Sequence, residues 1–341
     1  MKLVFGFLKL RIIKQHKMAL KEISKIIAKE LKQFDEIFKN SIRSKIFLVD
    51  VITKYILKQK GKKIRPLLVF LSSKLCGETN ETTYRGAALV EILHTATLIH
   101  DDVVDEANVR RGLPSINSVW KNKAAVLMGD FLLAKGLLLS LDNDDFTFLK
   151  IMSDSVRRMS EGEILEIEKS KSLNTDEKTY FKIISDKTAS LISTCCEIGA
   201  ASSTNSLEYR KHLREFGENL GIAFQIRDDI LDFIGKKNLM GKPTGISDVG
   251  DKKLTLPLIH AIKNSPKIEA NSILKIIKNG IDKSAKKIIY DFVHTYKGID
   301  YSIKSSIEFA EMAKSNLSIF PNSIYKQSLI AFTDFVVSRV S

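Results

Sequence analysis

Two segments of this chain carry three aspartates each at the same spacing: Asp101, Asp102 and Asp105, then Asp228, Asp229 and Asp232. On a helix, Asp101 and Asp105 share one face, and so do Asp228 and Asp232. Carboxylates packed this closely repel each other, and burying them without countercharge costs roughly several kcal/mol. A hard divalent cation removes both problems. Mg²⁺ suits the pattern, because it takes oxygen ligands and is typically held by a few carboxylates together with substrate phosphates.

One acidic cluster on a helix is usually a solvated face. Here Ile92, Leu93, Leu98, Ile99, Val103 and Val104 surround the first cluster, and Ile222, Ala223, Phe224, Ile226, Ile230 and Leu231 the second. Neither segment, residues 98–105 or 225–232, contains a lysine, so a solvated-face origin for both is disfavoured. Cations are distributed around the clusters: Lys62, Lys63 and Arg65 in the run Gly61-Lys62-Lys63-Ile64-Arg65-Pro66, then Arg110-Arg111-Gly112, Lys187-Thr188, Lys242 and Lys253. Each alone reads as surface charge. Arg grips phosphate bidentately and Lys acts as a point charge, so together they imply a pyrophosphate held by Mg²⁺ and cations.

The elements that must position these residues are helices. Apolar residues recur at three- and four-residue steps over residues 18–38, 82–104, 124–141, 146–169, 176–200 and 207–233. Of six prolines, Pro66, Pro114, Pro243 and Pro257 fall at expected helix edges. No strand-and-turn alternation is visible. Residues 142–145, 171–175 and 236–253 read as loops. The expected architecture is all-α: a single-domain helical bundle of residues 21–341 with a central apolar cavity, the two acidic helices facing each other across its mouth.

Bulk properties narrow the function classes. With 341 residues, 44% hydrophobic and 28% charged, the composition is that of a soluble globular protein with a sizeable core. The most apolar stretch, residues 124–141, is broken by Asp130 and Lys135, short of the about 18 uninterrupted apolar residues of a membrane span. Cys76, Cys195 and Cys196 lack metal-binding spacing and read as inert thiols in a reducing compartment. The net charge of +14 points to anionic partners, but no nucleic-acid motif accompanies it. Residues 1–20 contain Lys2, Lys9, Arg11, Lys14 and Lys17 and no acid. They read as a basic N-terminal extension, against a membrane-surface helix or an organellar targeting segment. The expected location is cytoplasmic, with peripheral membrane contact.

Taken in order, these motifs resemble the trans-isoprenyl diphosphate synthases, specifically the long-chain, octaprenyl-type branch that makes quinone side chains, as in ubiquinone. The resemblance covers roughly residues 61–257. It rests on Gly61-Lys62-x-x-Arg65-Pro66, His94, the first aspartate cluster followed by Arg110-Arg111-Gly112, Gly129-Asp130, Lys187-Thr188, Gln225 with the second cluster, Gly241-Lys242 and Lys253-x-Thr255-Leu256-Pro257.

The resemblance implies roles. Lys62, Arg65, His94 and Arg111 would hold the diphosphate of isopentenyl diphosphate. Asp101, Asp105 and Asp228, supported by Asp102 and Asp232, would ligate Mg²⁺, three ions with substrate bound. These ions would bridge to an allylic diphosphate, either farnesyl or geranylgeranyl. Arg110, Lys187, Lys242 and Lys253 would complete the cationic cradle. Thr188 and Gln225 would place neutral dipoles beside the reacting carbons, and Asp229 belongs to the second catalytic motif. A homodimer is expected, with loose membrane association for product release and no nucleic acid. His94 read by itself is a buried structural histidine. Ala96 and Thr97, five and four residues before Asp101, are small. In short-chain members aromatic residues here close the tunnel, so a long product is expected.

The chain departs from the family pattern at Lys60 and Lys252, where glycines are usual, and in a one-residue-longer loop between Gly241 and Lys253 that leaves Asp248 and Lys253 without a fixed role. The rival readings are a shorter-chain synthase, a terpene cyclase, a non-catalytic subunit and a basic helical binding module. A cyclase has no need of a second diphosphate site, and a regulatory subunit usually lacks aspartates that are present here.

Overall fold

The computed structural model describes residues 20–59, 61–234, 249 and 252–339. All but one residue of the N-terminal extension, as well as Lys60, Gly241, Lys242 and Asp248, lie outside the described residues.

The fold is all-α, as expected. Its helices are α1 (Ala28–Ser41), α2 (Phe47–Lys58), α3 (Ile64–Cys76), α4 (Glu81–Val104), α5 (Ile116–Leu141), α6 (Phe146–Ser172), α7 (Glu177–Ile184), α8 (Ser190–Ala201), α9 (Leu207–Ile234), α10 (Leu256–Asn264), α11 (Lys267–Asn279), α12 (Lys283–Thr295), α13 (Gly298–Asn316) and α14 (Ile324–Ser338). The start of α4, which carries the first acidic segment, is fixed by a capping box. The Asn80 side chain accepts from the Thr83 amide at 3.0 Å, and the Thr83 hydroxyl accepts from the Asn80 amide at 3.2 Å.

Among the described residues, three apolar clusters hold the bundle. The largest packs α3, α4, α8, α9 and α14 through Leu68, Phe70, Leu89, Cys195, Phe216 and Phe332, all essentially inaccessible. Cys195 and Cys196 are free and buried there, and burial pushes both thiols up, Cys196 to about 12, so they stay protonated and inert. A second cluster packs the C-terminal half of α9 against α10–α13 through Ile226, Ile230, Phe233, Leu258 and Val293. The third joins α2, α4 and α5 below the first acidic segment, through Ile52, Ile56, Ile92, Ala96, Met128 and Leu132.

The structure differs from the sequence reading in three places. A small antiparallel hairpin, β1 (Val109–Arg110) and β2 (Leu113–Pro114), follows the first acidic segment. Its two-residue turn, Arg111–Gly112, has positive φ at both positions, 51° and 79°, the hand that matches twisted strands. Helix α5 begins at Ile116, ahead of the expected stretch, and breaks locally at Lys121. The expected helix over residues 176–200 is interrupted by a π turn, Ser185–Ala189, which contains Lys187 and Thr188.

Candidate active site

The first acidic segment occupies the last turn of α4 and its C-cap, Asp105. Asp101 is half-buried, Asp105 exposed and Asp102 buried. Burial, with the charges of Glu163 and Asp105, pushes the Asp101 carboxyl up to about 6, against the opposing pull of Lys187 and Arg110. Asp102 points inward and accepts from Arg110 Nε at 2.7 Å. The Asn117 amide caps the Asp102 carbonyl at 3.1 Å. Arg110 therefore meets Asp102 inside the fold as well as facing Asp101.

The second segment lies near the end of α9. Asp229 is buried and takes hydrogen bonds from Tyr180 Oη at 2.6 Å and Gln225 Nε2 at 2.8 Å. Gln225 Oε1 in turn accepts from Thr188 Oγ1 at 3.0 Å. Asp228 faces outward and pairs with Arg339 Nη2 at 2.7 Å. Burial raises its carboxyl, while Arg339 and Lys62 oppose the rise. Asp232 is half-buried on the same helix face.

The two segments meet through α6 and the π turn. Lys187 Nζ bridges Glu163 at 2.7 Å and Glu166 at 2.6 Å, and Lys253 joins Glu166 at 3.2 Å. Although burial works against its charge, the two glutamates raise Lys187 above the ordinary lysine value and keep it cationic. Glu166, Lys187, Thr188, Gln225, Asp229 and Lys253 line one cavity of about 110 Å³. An adjoining cavity of about 450 Å³ brings Asp105 and Glu163 to the same Glu166 and Lys253. Among the described residues no three acidic or histidine ligands stand preassembled around one point.

A cationic group sits between the start of α3, the middle of α4 and the hairpin. Lys62 is exposed just before α3, while Lys63 is drawn off to Asp35 at 2.5 Å. Arg65 is partly buried beside Glu91 and Arg111; burial lowers its guanidinium and Glu91 raises it again. Arg65 Nε and Glu91 Oε2 have no hydrogen-bond partner among the described residues. Arg111 reaches back to the Gln59 carbonyl at 3.2 Å. His94 is buried, and burial together with Arg65, Arg111 and Arg110 holds its imidazole well below the usual histidine range, hence neutral.

Sequence reasoning missed Glu91, Glu163, Glu166, Tyr180 and Arg339. Glu163 and Glu166 are three apart on an exposed-looking helix, and Arg339 lies far downstream, so no local pattern distinguished them. Of the two positions expected to govern product length, Ala96 is buried in the third apolar cluster. Thr97 is half-buried and donates to the His94 carbonyl at 2.9 Å.

The Polyprenyl synthetase family matches residues 48–293 of this chain. An all-trans-nonaprenyl-diphosphate synthase (geranyl-diphosphate specific) from Rhodobacter capsulatus is 38% identical, the match covering 92% of this chain and 96% of that protein. An octaprenyl diphosphate synthase from Haemophilus influenzae is 32% identical over 96% of this chain and 99% of its own length. Shorter-chain synthases also match. The crystal structure of a polyprenyl synthase from Caulobacter crescentus CB15, complexed with calcium and isoprenyl diphosphate, is 31% identical. It superposes with a TM-score of 0.86 over 94% of this chain and 98% of that one. The chain belongs to the polyprenyl synthetase family.

Proposed function

We propose that the protein is a long-chain all-trans-polyprenyl diphosphate synthase, condensing an allylic diphosphate with successive isopentenyl diphosphates, with octaprenyl diphosphate as its product. The observation that carries this reading is that both acidic segments come to the same Glu166 and Lys253, the first through Asp105 and the second through Asp229, with Lys62 of the cationic group near enough to act on Asp228.

The acidic side fits Mg²⁺. Burial, with the charges of Glu163 and Asp105, raises the Asp101 carboxyl to about 6 in spite of Lys187 and Arg110, and a bound divalent cation would relieve that cost. Asp101 and Asp105 on one helix, and Asp228 and Asp232 on the other, would hold the metal. Asp102 and Asp229 brace those helix ends through Arg110, Gln225 and Tyr180. When bound, the metal supplies charge neutralisation for a departing diphosphate. Lys187 and Lys253 are aimed at the same diphosphate and stabilise the charge that grows on it as the allylic C–O bond ionises. Lys62, Arg65 and Arg111 hold the second diphosphate, which places the isopentenyl double bond beside the cationic carbon. Neutral His94 adds a hydrogen bond there. The Thr188 and Gln225 dipoles face the reacting carbons. The released diphosphate takes the proton lost when the new double bond forms. Ile183, Ile184 and Leu254, which line the same cavity, would help keep water from the cation, which would otherwise be trapped as an alcohol.

The growing tail runs along α4 past Thr97. Among the curated relatives, nonaprenyl and octaprenyl synthases favour a long product. A homodimer fits the surface: α5 is long and apolar enough to cross a membrane by composition, yet it packs as part of the bundle and leaves Leu127, Leu138 and Leu141 exposed. A second copy would cover that stripe. The deciding experiment incubates purified protein with Mg²⁺, labelled isopentenyl diphosphate and geranyl, farnesyl or geranylgeranyl diphosphate, and sizes the dephosphorylated product. A narrow octaprenyl band supports the reading. A farnesyl or geranylgeranyl stop keeps the chemistry and overturns the length, and a cyclic hydrocarbon from the starter alone overturns both.

A further inference from the structure

Lys187 and Thr188 reach the cavity from a π turn, and that turn has an anchor on its far side. One extra residue per turn makes a π turn poorer than an α-helix in hydrogen bonding and packing, so it persists where the surroundings hold it, frequently at functional sites. In the turn Ser185–Ala189, the Ser190 amide bonds the Ser185 carbonyl. Its side chains divide by direction. Lys187 and Thr188 face the cavity. Ser185 and Asp186 turn to the opposite flank, where Arg158 of α6 meets both.

Arg158 Nε donates to Asp186 Oδ1 at 2.8 Å, and Nη2 donates to Ser185 Oγ at 2.9 Å. The same guanidinium spans to Glu218 of α9, with Nη1 at 3.1 Å from Oε2 and Nη2 at 2.6 Å from Oε1. Ser185 Oγ also donates to Glu218, Lys182 pairs with Asp186, and Ser190 Oγ donates to the Asp186 carbonyl at 2.5 Å. Asp186 is 4% exposed. Its carboxyl is held below the usual range by Lys182 and Arg158, against the effect of burial. A planar five-donor fork can tie a turn to two helices at once, which a lysine cannot.

The backbone is clamped as well. A Cβ on Gly162 would lie 2.9 Å from the Lys187 amide nitrogen, and a Cβ on Gly221 would lie 2.5 Å from Ala189 Cα. Arg158, Gly162 and Glu166 are four apart on α6 and share a face. One holds the back of the turn, one lets its backbone approach, and one takes the Lys187 ammonium at 2.6 Å. Arg158 itself lines a different cavity, with Asp154, Glu197 and Arg214, and is not among the residues lining the catalytic cavity.

We infer that Arg158, with Glu218 as its second tether, is a positioning residue. It holds the π turn in the register that presents Lys187 and Thr188 to the allylic diphosphate, and through Thr188 it sets the Thr188–Gln225–Asp229 chain. The inference rests on the synthase reading.

Two variants test it: Arg158→Lys, which keeps the charge but loses the fork, and the charge-balanced pair Arg158→Gln with Glu218→Gln, which leaves less uncompensated charge buried. In each, kcat per folded enzyme should fall about ten-fold or more. KM for isopentenyl diphosphate should stay within about two-fold, since Lys62, Arg65 and Arg111 are on other elements. In a Lys187→Met background the Arg158→Lys change should cost far less than in the wild type, because the two act through one another. Amide hydrogen exchange should rise at residues 185–190 ahead of the rest of α7 and α8. Wild-type kcat in both variants, full additivity with Lys187→Met, or exchange rising uniformly with a general loss of Tm would overturn the inference. If the wild-type protein makes no prenyl product, the synthase reading fails, and the exchange pattern alone still decides whether Arg158 sets the turn.

Discussion

Arg339 holds Asp228. The guanidinium lies 2.7 Å from the carboxylate, donates to the Phe224 carbonyl at 2.9 Å and stacks 3.9 Å above the Phe224 ring. Its own carbonyl takes two bonds from Arg227, at 2.9 and 2.7 Å. A carboxylate proposed for metal binding is thus already paired with a side chain from beyond the last helix. Removing a nearby positive charge strengthens cation binding at a carboxylate. Arg339→Gln should therefore tighten Mn²⁺ binding to the substrate-free protein several-fold by calorimetry, at a cost of a few degrees in Tm. Unchanged or weaker binding would show that Asp228 is not where the cation goes.

Asp101 makes a prediction about stability with a definite sign. Burial and the neighbouring Glu163 and Asp105 push its folded carboxyl up to about 6, above the ordinary value of 3.8. Between those values the native state binds more protons than the unfolded one. The metal-free protein therefore loses stability as pH rises through this window, and the penalty is fully present at neutral pH. Asp101→Asn removes it. The variant should melt a few degrees above the metal-free wild type at pH 7.5, and the gap should close toward pH 4. Added Mg²⁺ should reverse the order, because only the wild type gains a ligand.

Turnover responds in the opposite direction from stability. Asp101→Ala and Asp228→Ala should each lower kcat by about a hundred-fold or more while circular dichroism and the melting profile remain those of a folded protein. Retained activity in both would remove the metal assignment.

Product length tests the tail path. Thr97 is half-buried one turn before Asp101, whereas Ala96 is packed against the α2–α5 cluster. Thr97→Phe should shorten the product with little loss of Tm. Ala96→Phe should overpack the core and cost about 1–3 kcal/mol of stability. The same product length from Thr97→Phe would place the tail elsewhere.

The exposed stripe on α5 gives a test of assembly. Leu127 is 58% and Leu138 50% exposed. Leu127→Glu with Leu138→Glu should turn a dimer into a monomer by light scattering, and a monomeric wild type would refute the second copy as occupant.

The sequence by itself determined the all-α class, the helix faces carrying both aspartate clusters, and the family. These depend on local periodicity and on residue spacing within single segments, where Asp101 and Asp105, or Asp228 and Asp232, are fixed relative to each other by the helix alone. It also pointed to Lys62, Arg65, Arg111 and Lys187 as a set, through motif order. Only the tertiary structure decided which carboxylates are buried and which stay accessible. Neighbouring aspartates such as Asp101 and Asp102 are about 100° apart around a helix, and which one turns inward depends on where Arg110 and Asn117 sit. It likewise decided that Glu163 and Glu166 clamp Lys187, that Arg339 meets Asp228, and that Arg158 backs the π turn. Each of these joins residues far apart in sequence, and their energy is realised only when packing has brought the helices together and removed water from between them. The π turn is the clearest case: residues 176–200 carry an ordinary helical period, and the extra residue in the turn is accommodated by contacts from α6 and α9 that no local pattern records.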